Sequence, residues 1–260
     1  DRQNPDHAPI SLFGGIEYST DATTTEVWSY LEGSLVETWE IEKIMTKDGR
    51  DVQHYTGVSA TEDAFKEKAT GSGIVHIATH GFFFADQEDL VERSIDVEES
   101  SQELKFRGIS GSIGSKGFLR SENPLMRSGL VFAGANDIWN VFAPTSGDSS
   151  EDGILTAAEV ATLDLRKTRL VVLSACETGL GDIKGSEGVY GLQRSFKMAG
   201  VNYLIMSLWQ VPDKETAEFM TLFYQHLADG NDIKKSFRLS QAIMRKKYDP
   251  YYWAAFILVE

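Results

Sequence analysis

The only cysteine of the chain, Cys176, stands where an apolar run gives way to a glycine-containing loop. The run is LVVLSACETGLG at 170–181, and it predicts a strand that ends at the thiol and presents it to a cleft. A second apolar run, GIVHIATHGFF at 73–83, ends in the same way at His80-Gly81. A thiol and an imidazole at two strand ends are a candidate nucleophile and its candidate base.

Acyl transfer is the chemistry that these residue types favour. A free thiol has a pKa of about 8.5 and is mostly protonated at neutral pH unless an imidazolium or a helix N-terminus stabilises the thiolate. Histidine, whose ordinary pKa is about 6.5, takes the thiol proton and later returns it to a leaving amine. The backbone N–H groups of Gly81 and Cys176 would bind the oxyanion, because glycine lets its backbone approach closely. A cysteine or a histidine can instead have a purely structural role, as a buried thiol or as a hydrogen-bonded imidazole in the core. We expect the structural role for His76.

Composition and charge restrict the class of partner. The chain has 260 residues and a formal net charge of -14, with a pI near 4.8. Nucleic-acid affinity depends on lysine and arginine displacing counterions, so no nucleic-acid partner is expected, whereas a basic substrate would suit this charge. One cysteine cannot form an intrachain disulfide, which favours a reducing cytoplasm. Because no apolar run reaches the length of a membrane span, we expect no membrane association.

Predicted strands and helices alternate along the chain, and this order indicates the fold class. Strands are predicted at 10–14, 51–56, 73–79, 129–133, 169–175, 201–208 and 253–259. Helices are predicted at 33–47, 60–69, 155–164, 186–199, 213–228 and 232–247. Thr61 or Ser59 is expected to begin the helix at 60–69. Nearly continuous apolar strands separated by helices predict an α/β fold with a mostly parallel central sheet and helices on both faces. Ligands bind such sheets at the carboxyl ends of strands, where His80 and Cys176 both fall.

The chain is expected to form a single domain over residues 1–260. Residues 85–122 are rich in Asp, Glu, Ser and Gly, which predicts a long insertion and a candidate control element. The chain begins without methionine and stops at Glu260, immediately after WAAFILV, so we expect it to be cut from a longer protein.

The sequence resembles the CHAT domain, a caspase-like cysteine peptidase module related to separase and often found after tetratricopeptide repeats in bacterial proteins. The similarity includes ATHG at 78–81 and LSACETGLG at 173–181, and residues 1–72 match more loosely. Further matching segments are NPLMRSGLVFAGAN at 123–136, DGILTAAEV at 152–160, GSEGVYGLQRSFKMAGV at 185–201, SLWQVPDKETAEFMTLFY at 207–224 and PYYWAAFIL at 250–258.

The resemblance implies a caspase-like three-layer α/β sandwich in which Cys176 and His80 form the catalytic dyad. It implies an endopeptidase that cleaves a protein or peptide substrate through a thioester acyl-enzyme, needs no cofactor and is regulated by an upstream repeat or sensor module. Ser174 stands where the caspase signature has Gln, and the 96 residues from His80 to Cys176 exceed the caspase interval of about 50. Aspartate specificity is therefore not implied. A catalytically silent module that docks a partner is the alternative function.

The resemblance also suggests a specificity pocket. Asp213 resembles the acidic position of that pocket in separase-like relatives, where a carboxylate would favour Arg or Lys before the scissile bond. Asp213 is alternatively the N-cap of the helix that follows it, in which case its side chain would serve that helix. Glu177 and Glu187, on either side of the loop after the cysteine, are weaker candidates for the pocket.

Two other motifs suggest different ligands. The segment 148–159 fits the pattern of a calcium-binding EF-hand loop, with ligand-type residues at Asp148, Ser150, Asp152, Gly153 and Glu159. An EF-hand needs a preceding helix, whereas Pro144 precedes this loop, and Thr156 with Glu159 also predicts a helix capping box. The glycine-rich segment 179–192 lacks the ending of a nucleotide-binding loop, so we interpret it as a loop around the nucleophile.

Overall fold

A computed structural model describes residues 8–20, 26–83, 121, 123–139, 152–174 and 187–260. The strands of this part of the chain are β1 (Ile10–Ile16), β2 (Val52–Gly57), β3 (Ile74–Ile77), β4 (Gly81–Phe83), β5 (Ser128–Val131), β6 (Ile154–Thr156), β7 (Leu170–Leu173), β8 (Tyr203–Ser207) and β9 (Phe256–Val259). Its α-helices are α1 (Glu32–Lys47), α2 (Glu62–Ala69), α3 (Ala135–Trp139), α4 (Ala157–Val160), α5 (Glu187–Met198), α6 (Asp213–Ala228), α7 (Ile233–Met244) and α8 (Pro250–Trp253). A short 3-10 helix covers Pro124–Arg127.

The central sheet has the strand order β2-β1-β3-β7-β8-β9. All neighbouring pairs are parallel except β8 and β9, which are antiparallel. The predicted α/β class with a mostly parallel sheet is therefore confirmed. Strands β3 and β7 are neighbours in register, with Ile77 opposite Leu173. Because the carboxyl ends of parallel strands meet at one edge, Ile77 and Ser174 lie side by side at the end of these two strands.

Alternate residues of the central strands pack into cores on opposite faces of the sheet. Val171 and Leu173 join the core covered by α2 and α5, whereas Leu170 and Val172 join the core covered by α1, α6 and α7. All four side chains are fully buried, and burial of each stabilises the fold by roughly 1.5–3 kcal/mol. Burial on both faces explains why β7 reads as a continuous apolar run instead of an alternating one.

A second sheet, which the sequence did not predict, lies beyond the end of β3. It has the order β4-β5-β6, and both of its strand pairs are antiparallel. The apolar run at 73–83 thus contains two strands, one in each sheet, with His80 directly before the second. Because the chain passes from the central sheet to the second sheet after β3, His80 lies between the two sheets.

Two helix starts follow their predicted caps. The Thr61 hydroxyl accepts a hydrogen bond from the Ala64 N–H at 3.1 Å and begins α2. Thr156 and Glu159 form the predicted capping box of α4. The predicted helix at 155–164 is wrong in extent: Ile154–Thr156 forms β6, and only Ala157–Val160 is helical. Pairing with β5 explains the difference, since it buries Ile154 and Leu155 in the core.

The described part of the chain contains no helix that combines the length and apolar character needed to cross a membrane. Apart from Ser121, the predicted insertion at 85–122 lies outside the described residues.

Candidate active site

His80 is held at the carboxyl edge of the central sheet by backbone hydrogen bonds on both sides. Before it, the Ala78 N–H donates to the Phe13 carbonyl of β1 at 2.8 Å. At His80 itself, the carbonyl accepts from the Val131 N–H of β5 at 2.9 Å. The histidine backbone is therefore attached to both sheets and has little freedom to move.

The His80 ring is oriented by a backbone carbonyl and two aromatic rings. Its Nε2 lies 2.7 Å from the carbonyl oxygen of Ser29. Since a carbonyl only accepts hydrogen bonds, Nε2 must carry a proton, and the neutral ring has Nδ1 as its unprotonated nitrogen. The rings of Tyr18 and Trp28 lie 5.0 and 5.4 Å from the imidazole, centroid to centroid. The side chain is thus oriented with Nδ1 as its proton acceptor.

The surroundings of His80 favour the neutral imidazole. Burial is the largest influence and lowers the pKa of His80 below its ordinary value of 6.5. The hydrogen bond to Ser29 and the negative charge of Asp213 act in the opposite direction and raise the pKa, with a smaller effect. A neutral imidazole at pH 7 is the protonation state that a general base requires.

Gly81 directs its backbone N–H away from its partner strand. It lies opposite Leu130 in the antiparallel pair of β4 and β5, and the Val131 N–H bonds to the His80 carbonyl. In antiparallel pairing, this pattern makes Gly81 and Leu130 a non-hydrogen-bonded pair, so the Gly81 N–H points away from β5. The Gly81 N–H, which is the predicted oxyanion donor, therefore takes no part in the hydrogen bonds between β4 and β5.

Asp213 lies on the same side of the molecule as His80. It is exposed and is the first residue of α6, and the N-cap is Pro212, so the alternative interpretation of Asp213 as the N-cap is wrong. A Cβ atom added at Gly33, in the first turn of α1, would lie 2.7 Å from Asp213 Oδ2. Because the Asp213 charge also raises the pKa of His80, the start of α1, the start of α6 and the end of β3 meet around one site.

Several predicted site residues lie outside the described part of the chain: Cys176, Glu177 and, in the calcium motif, Asp148 and Ser150. For Glu187 only the backbone is described. The described chain reaches Ser174, whose N–H donates to the Ile77 carbonyl at 2.9 Å. The structure therefore brings the residue two positions before Cys176 to the end of β3. The roles predicted for Cys176 and for Glu177 remain predictions.

The described half of the calcium motif is engaged in other contacts. Glu159 Oε2 accepts from the Thr156 backbone N–H at 2.9 Å and from its hydroxyl at 2.7 Å. Glu159 Oε1 accepts from Lys66 Nζ at 3.0 Å, and Asp152 Oδ1 accepts from the Ile154 N–H at 2.9 Å. Among the described residues, no group of three or more His, Cys, Asp or Glu side chains is arranged to hold a metal ion. Calcium binding stays an untested prediction.

His76 belongs to the core, as predicted. It is fully buried, and its Nε2 lies 2.8 Å from Glu37 Oε1 while its Nδ1 lies 3.2 Å from the Tyr224 hydroxyl. Burial raises the pKa of Tyr224 well above its ordinary value, so this hydroxyl stays protonated. Both ring nitrogens of His76 are thus hydrogen-bonded inside the protein.

Sequence reasoning missed the parts of the site that lie before α1. Ser29 contributes a backbone carbonyl, which every residue type possesses, and no pattern in the sequence marks it. Trp28 was detectable in principle as a large aromatic residue next to a helix start, but its contact with His80 spans 52 positions of the chain.

Known proteins resemble this chain in sequence and in fold. Tetratricopeptide repeat protein 28 of Mus musculus is 27% identical over 226 residues, which is 85% of this chain and 8% of that protein. Its namesake in Homo sapiens is 34% identical over 111 residues, covering 41% of this chain and 4% of that protein. The chain therefore spans less than a tenth of the length of either relative.

Among solved structures, the Arg specific cysteine proteinase gingipain R matches with a TM-score of 0.48 and 9% identity, over 96% of this chain and 45% of that one. A protein from Geobacter sulfurreducens matches with a TM-score of 0.46 and 14% identity, over 97% of this chain and 92% of that one. The profile of the CHAT domain matches residues 2–260. With nearly the whole sequence matched, this chain belongs to the CHAT domain family.

Proposed function

We propose that this domain is a cysteine endopeptidase in which Cys176 is the nucleophile and His80 the general base. The observation that carries the proposal is the orientation of His80: Nε2 donates to the Ser29 carbonyl at 2.7 Å, which leaves Nδ1 as the proton acceptor. Family membership supports the same reaction class, because the match to the CHAT domain covers residues 2–260 and so includes both His80 and Cys176.

Covalent geometry supports the pairing of the two residues. Strand β7 lies beside β3, and the backbone of Ser174 is hydrogen-bonded to that of Ile77. Cys176 follows Ser174 by two residues, so its Cα is within roughly 7 Å of the Ser174 Cα in any conformation. Since His80 follows Ile77 by only three residues, the chain needs only two residues from Ser174 and three from Ile77 to reach the members of the proposed dyad.

The reaction follows from these positions. His80 Nδ1 takes the thiol proton, and the Cys176 sulfur attacks the carbonyl carbon of the substrate, while the N–H groups of Gly81 and Cys176 bind the oxyanion. The peptide C–N bond then breaks, the imidazolium protonates the leaving amine, and a thioester joins the substrate to Cys176. Water, deprotonated by His80, hydrolyses the thioester and restores the thiol.

We further propose that the site prefers a basic residue before the scissile bond. Asp213 supports this preference because it is exposed and its charge reaches His80. A carboxylate in that position can pair with the guanidinium of arginine or the ammonium of lysine. The formal net charge of -14 would also attract a basic substrate. Glu177 is a second, weaker candidate for the same pocket.

The relatives suggest a context for the domain. Both are named as tetratricopeptide repeat proteins and are far longer than this chain, so we propose that the domain works joined to a repeat module that controls it. The single cysteine is compatible with the reducing cytoplasm, where an unpaired thiol stays available for chemistry.

Alkylation of the single cysteine tests the dyad directly, because every alkylated molecule reports on Cys176. We expect the rate of reaction with iodoacetamide at pH 7 to fall by about tenfold in His80→Ala, because the thiol loses the base that promotes its thiolate. His226→Ala is the matched control: it lies near the far end of α6, about 20 Å along the helix from Asp213, and should leave the rate unchanged.

A peptide library distinguishes the peptidase from a silent docking module. The wild-type domain, joined to its repeat module where one is present, should cleave peptides after arginine or lysine, and Cys176→Ala should not. An alkylation rate independent of His80, together with no cleavage of any peptide, would instead support the docking module. Cleavage that persists in Cys176→Ala would refute the assignment of the nucleophile.

A further inference from the structure

Asn136, in helix α3, is a fully buried amide that uses all of its hydrogen-bonding capacity. Its Oδ1 accepts from the N–H groups of Val27 and Trp28 at 3.1 and 2.9 Å. Its Nδ2 donates to the Ser19 hydroxyl and to the Trp28 carbonyl, both at 2.9 Å. A primary amide has two donors and two acceptor sites, so all four are occupied.

The backbone of Asn136 adds a further connection. Its N–H donates to the Tyr18 carbonyl at 2.8 Å. One residue thus joins two segments that are distant in sequence: the segment that follows β1, at Tyr18 and Ser19, and the segment that leads into α1, at Val27 and Trp28. The orientation of the amide is fixed by chemistry, since exchanging its oxygen and nitrogen would place an acceptor against the Trp28 carbonyl.

These two segments carry the described contacts of the His80 ring. Tyr18 and Trp28 supply its two aromatic neighbours, and Ser29, directly after Trp28, supplies the carbonyl for Nε2. Tyr18 also hydrogen-bonds through its hydroxyl to Thr79, next to His80, at 2.9 Å. The hydrogen bonds from the Asn136 side chain to the Trp28 backbone are therefore only one residue away from the Ser29 carbonyl, which orients His80.

We propose that Asn136 is a positioning residue for His80: it holds the segment 27–29 so that the Ser29 carbonyl meets Nε2 and Nδ1 is left as the base. The inference rests on the proposed peptidase function, because it assigns a role within the same site. Among the described residues, the side-chain hydrogen bonds of Asn136 go to Val27, Trp28 and Ser19 and not to His80. Its effect passes through Trp28 and Ser29, and a displacement of about 1 Å at a catalytic group can lower the rate roughly 100-fold.

The test combines activity with a spectroscopic signal that does not depend on catalysis. In wild-type protein, the His80 Nε2 proton should give a resolved NMR signal that exchanges slowly with water, because it is bonded to a carbonyl. In Asn136→Ala this signal should be lost and kcat/KM should fall roughly 100-fold, mostly through kcat. If the alanine variant does not fold, Asn136→Asp replaces it in the same two measurements. This variant keeps the acceptor oxygen but loses the N–H donor to the Trp28 carbonyl.

Two control variants separate positioning from general destabilisation. Ser19→Ala removes one of the four side-chain bonds of Asn136 but leaves those to Trp28, so the signal should persist. Asn231→Ala removes a comparable bond, from an amide to the His226 carbonyl at 2.8 Å, and should change neither the signal nor kcat.

A folded Asn136 variant that keeps the His80 signal and full activity would overturn the inference. If the signal is lost on substitution but the wild-type domain cleaves no peptide, the positioning role stands and the proposed function fails. The two ideas are therefore tested separately.

Discussion

Replacing Glu62 with glutamine is expected to reduce the pH dependence of folding stability. The Glu62 side chain, at the start of α2, is only 2% exposed. Its Oε1 pairs with Lys66 Nζ at 2.5 Å, while its Oε2 has no hydrogen-bond partner in the described part of the protein. Burial, with the nearby charges of Glu159 and Asp152, raises the pKa of Glu62 from 4.5 to about 7, although Lys66 acts in the opposite direction.

The sign and size of the effect follow from this shift. Between pH 4.5 and about 7 the folded protein holds the Glu62 proton and the unfolded chain does not, so the free energy of unfolding falls as the pH rises. The full shift corresponds to about 3 kcal/mol, which is lost once the pH exceeds the pKa of the folded state. Glutamine cannot ionise, so the free energy of unfolding of Glu62→Gln does not fall in this way as the pH rises.

Urea unfolding at intervals between pH 4.5 and 8 measures the effect. The stability of Glu62→Gln relative to wild type should increase by about 3 kcal/mol across this range. The matched control is Glu67→Gln on the same helix, whose side chain is 73% exposed and pairs with Lys68; its difference from wild type should not vary with pH. A Glu62→Gln difference that also stays constant, within about 0.5 kcal/mol, would refute the reasoning.

Three further predictions concern the site and its surroundings. Asp213→Asn should lower the pKa of His80, because the Asp213 charge raises it; NMR titration of the cysteine-free protein measures this, and an unchanged or higher pKa would contradict it. Gly33→Ala should destabilise the fold by about 1–3 kcal/mol, since its new Cβ would lie 2.7 Å from Asp213 Oδ2. A double-mutant cycle followed by chemical denaturation checks this: the loss should shrink when Asp213 is also replaced by glycine, which removes the Oδ2, Cβ and Cγ atoms that the new Cβ would meet. Addition of EGTA should leave the melting temperature unchanged, because Glu159 already accepts hydrogen bonds through both oxygens; a decrease that calcium reverses would show a calcium site.

Local patterns were enough to predict the elements that carry the site. The apolar runs at 73–79 and 169–175 predict the strands that became β3 and β7, because burial on both faces favours apolar side chains at most positions. Thr61 and the Thr156–Glu159 pair predict helix starts because a capping hydrogen bond spans only three residues. Strand ends and caps are local properties, so short segments of the sequence are enough to predict that His80 follows a strand.

Contacts between distant segments could not be predicted from such local patterns. The antiparallel direction of β9 and the separate sheet of β4, β5 and β6 depend on which strands pair. The high pKa of Glu62 depends on burial that helix periodicity does not reveal. These features are decided by tertiary packing, because pairing and desolvation involve partners far away in sequence.

The sequence by itself determined the residue types of the proposed chemistry, the α/β class and the two strands that precede His80 and Cys176 in the chain. Only the tertiary structure decided which nitrogen of His80 is left as a proton acceptor, because the Ser29 carbonyl that orients the ring is a backbone group 51 positions away. The amide of Asn136 that holds this segment lies 108 positions from Trp28. Backbone groups are the same in every residue, so their role becomes visible only when the fold brings them to a side chain.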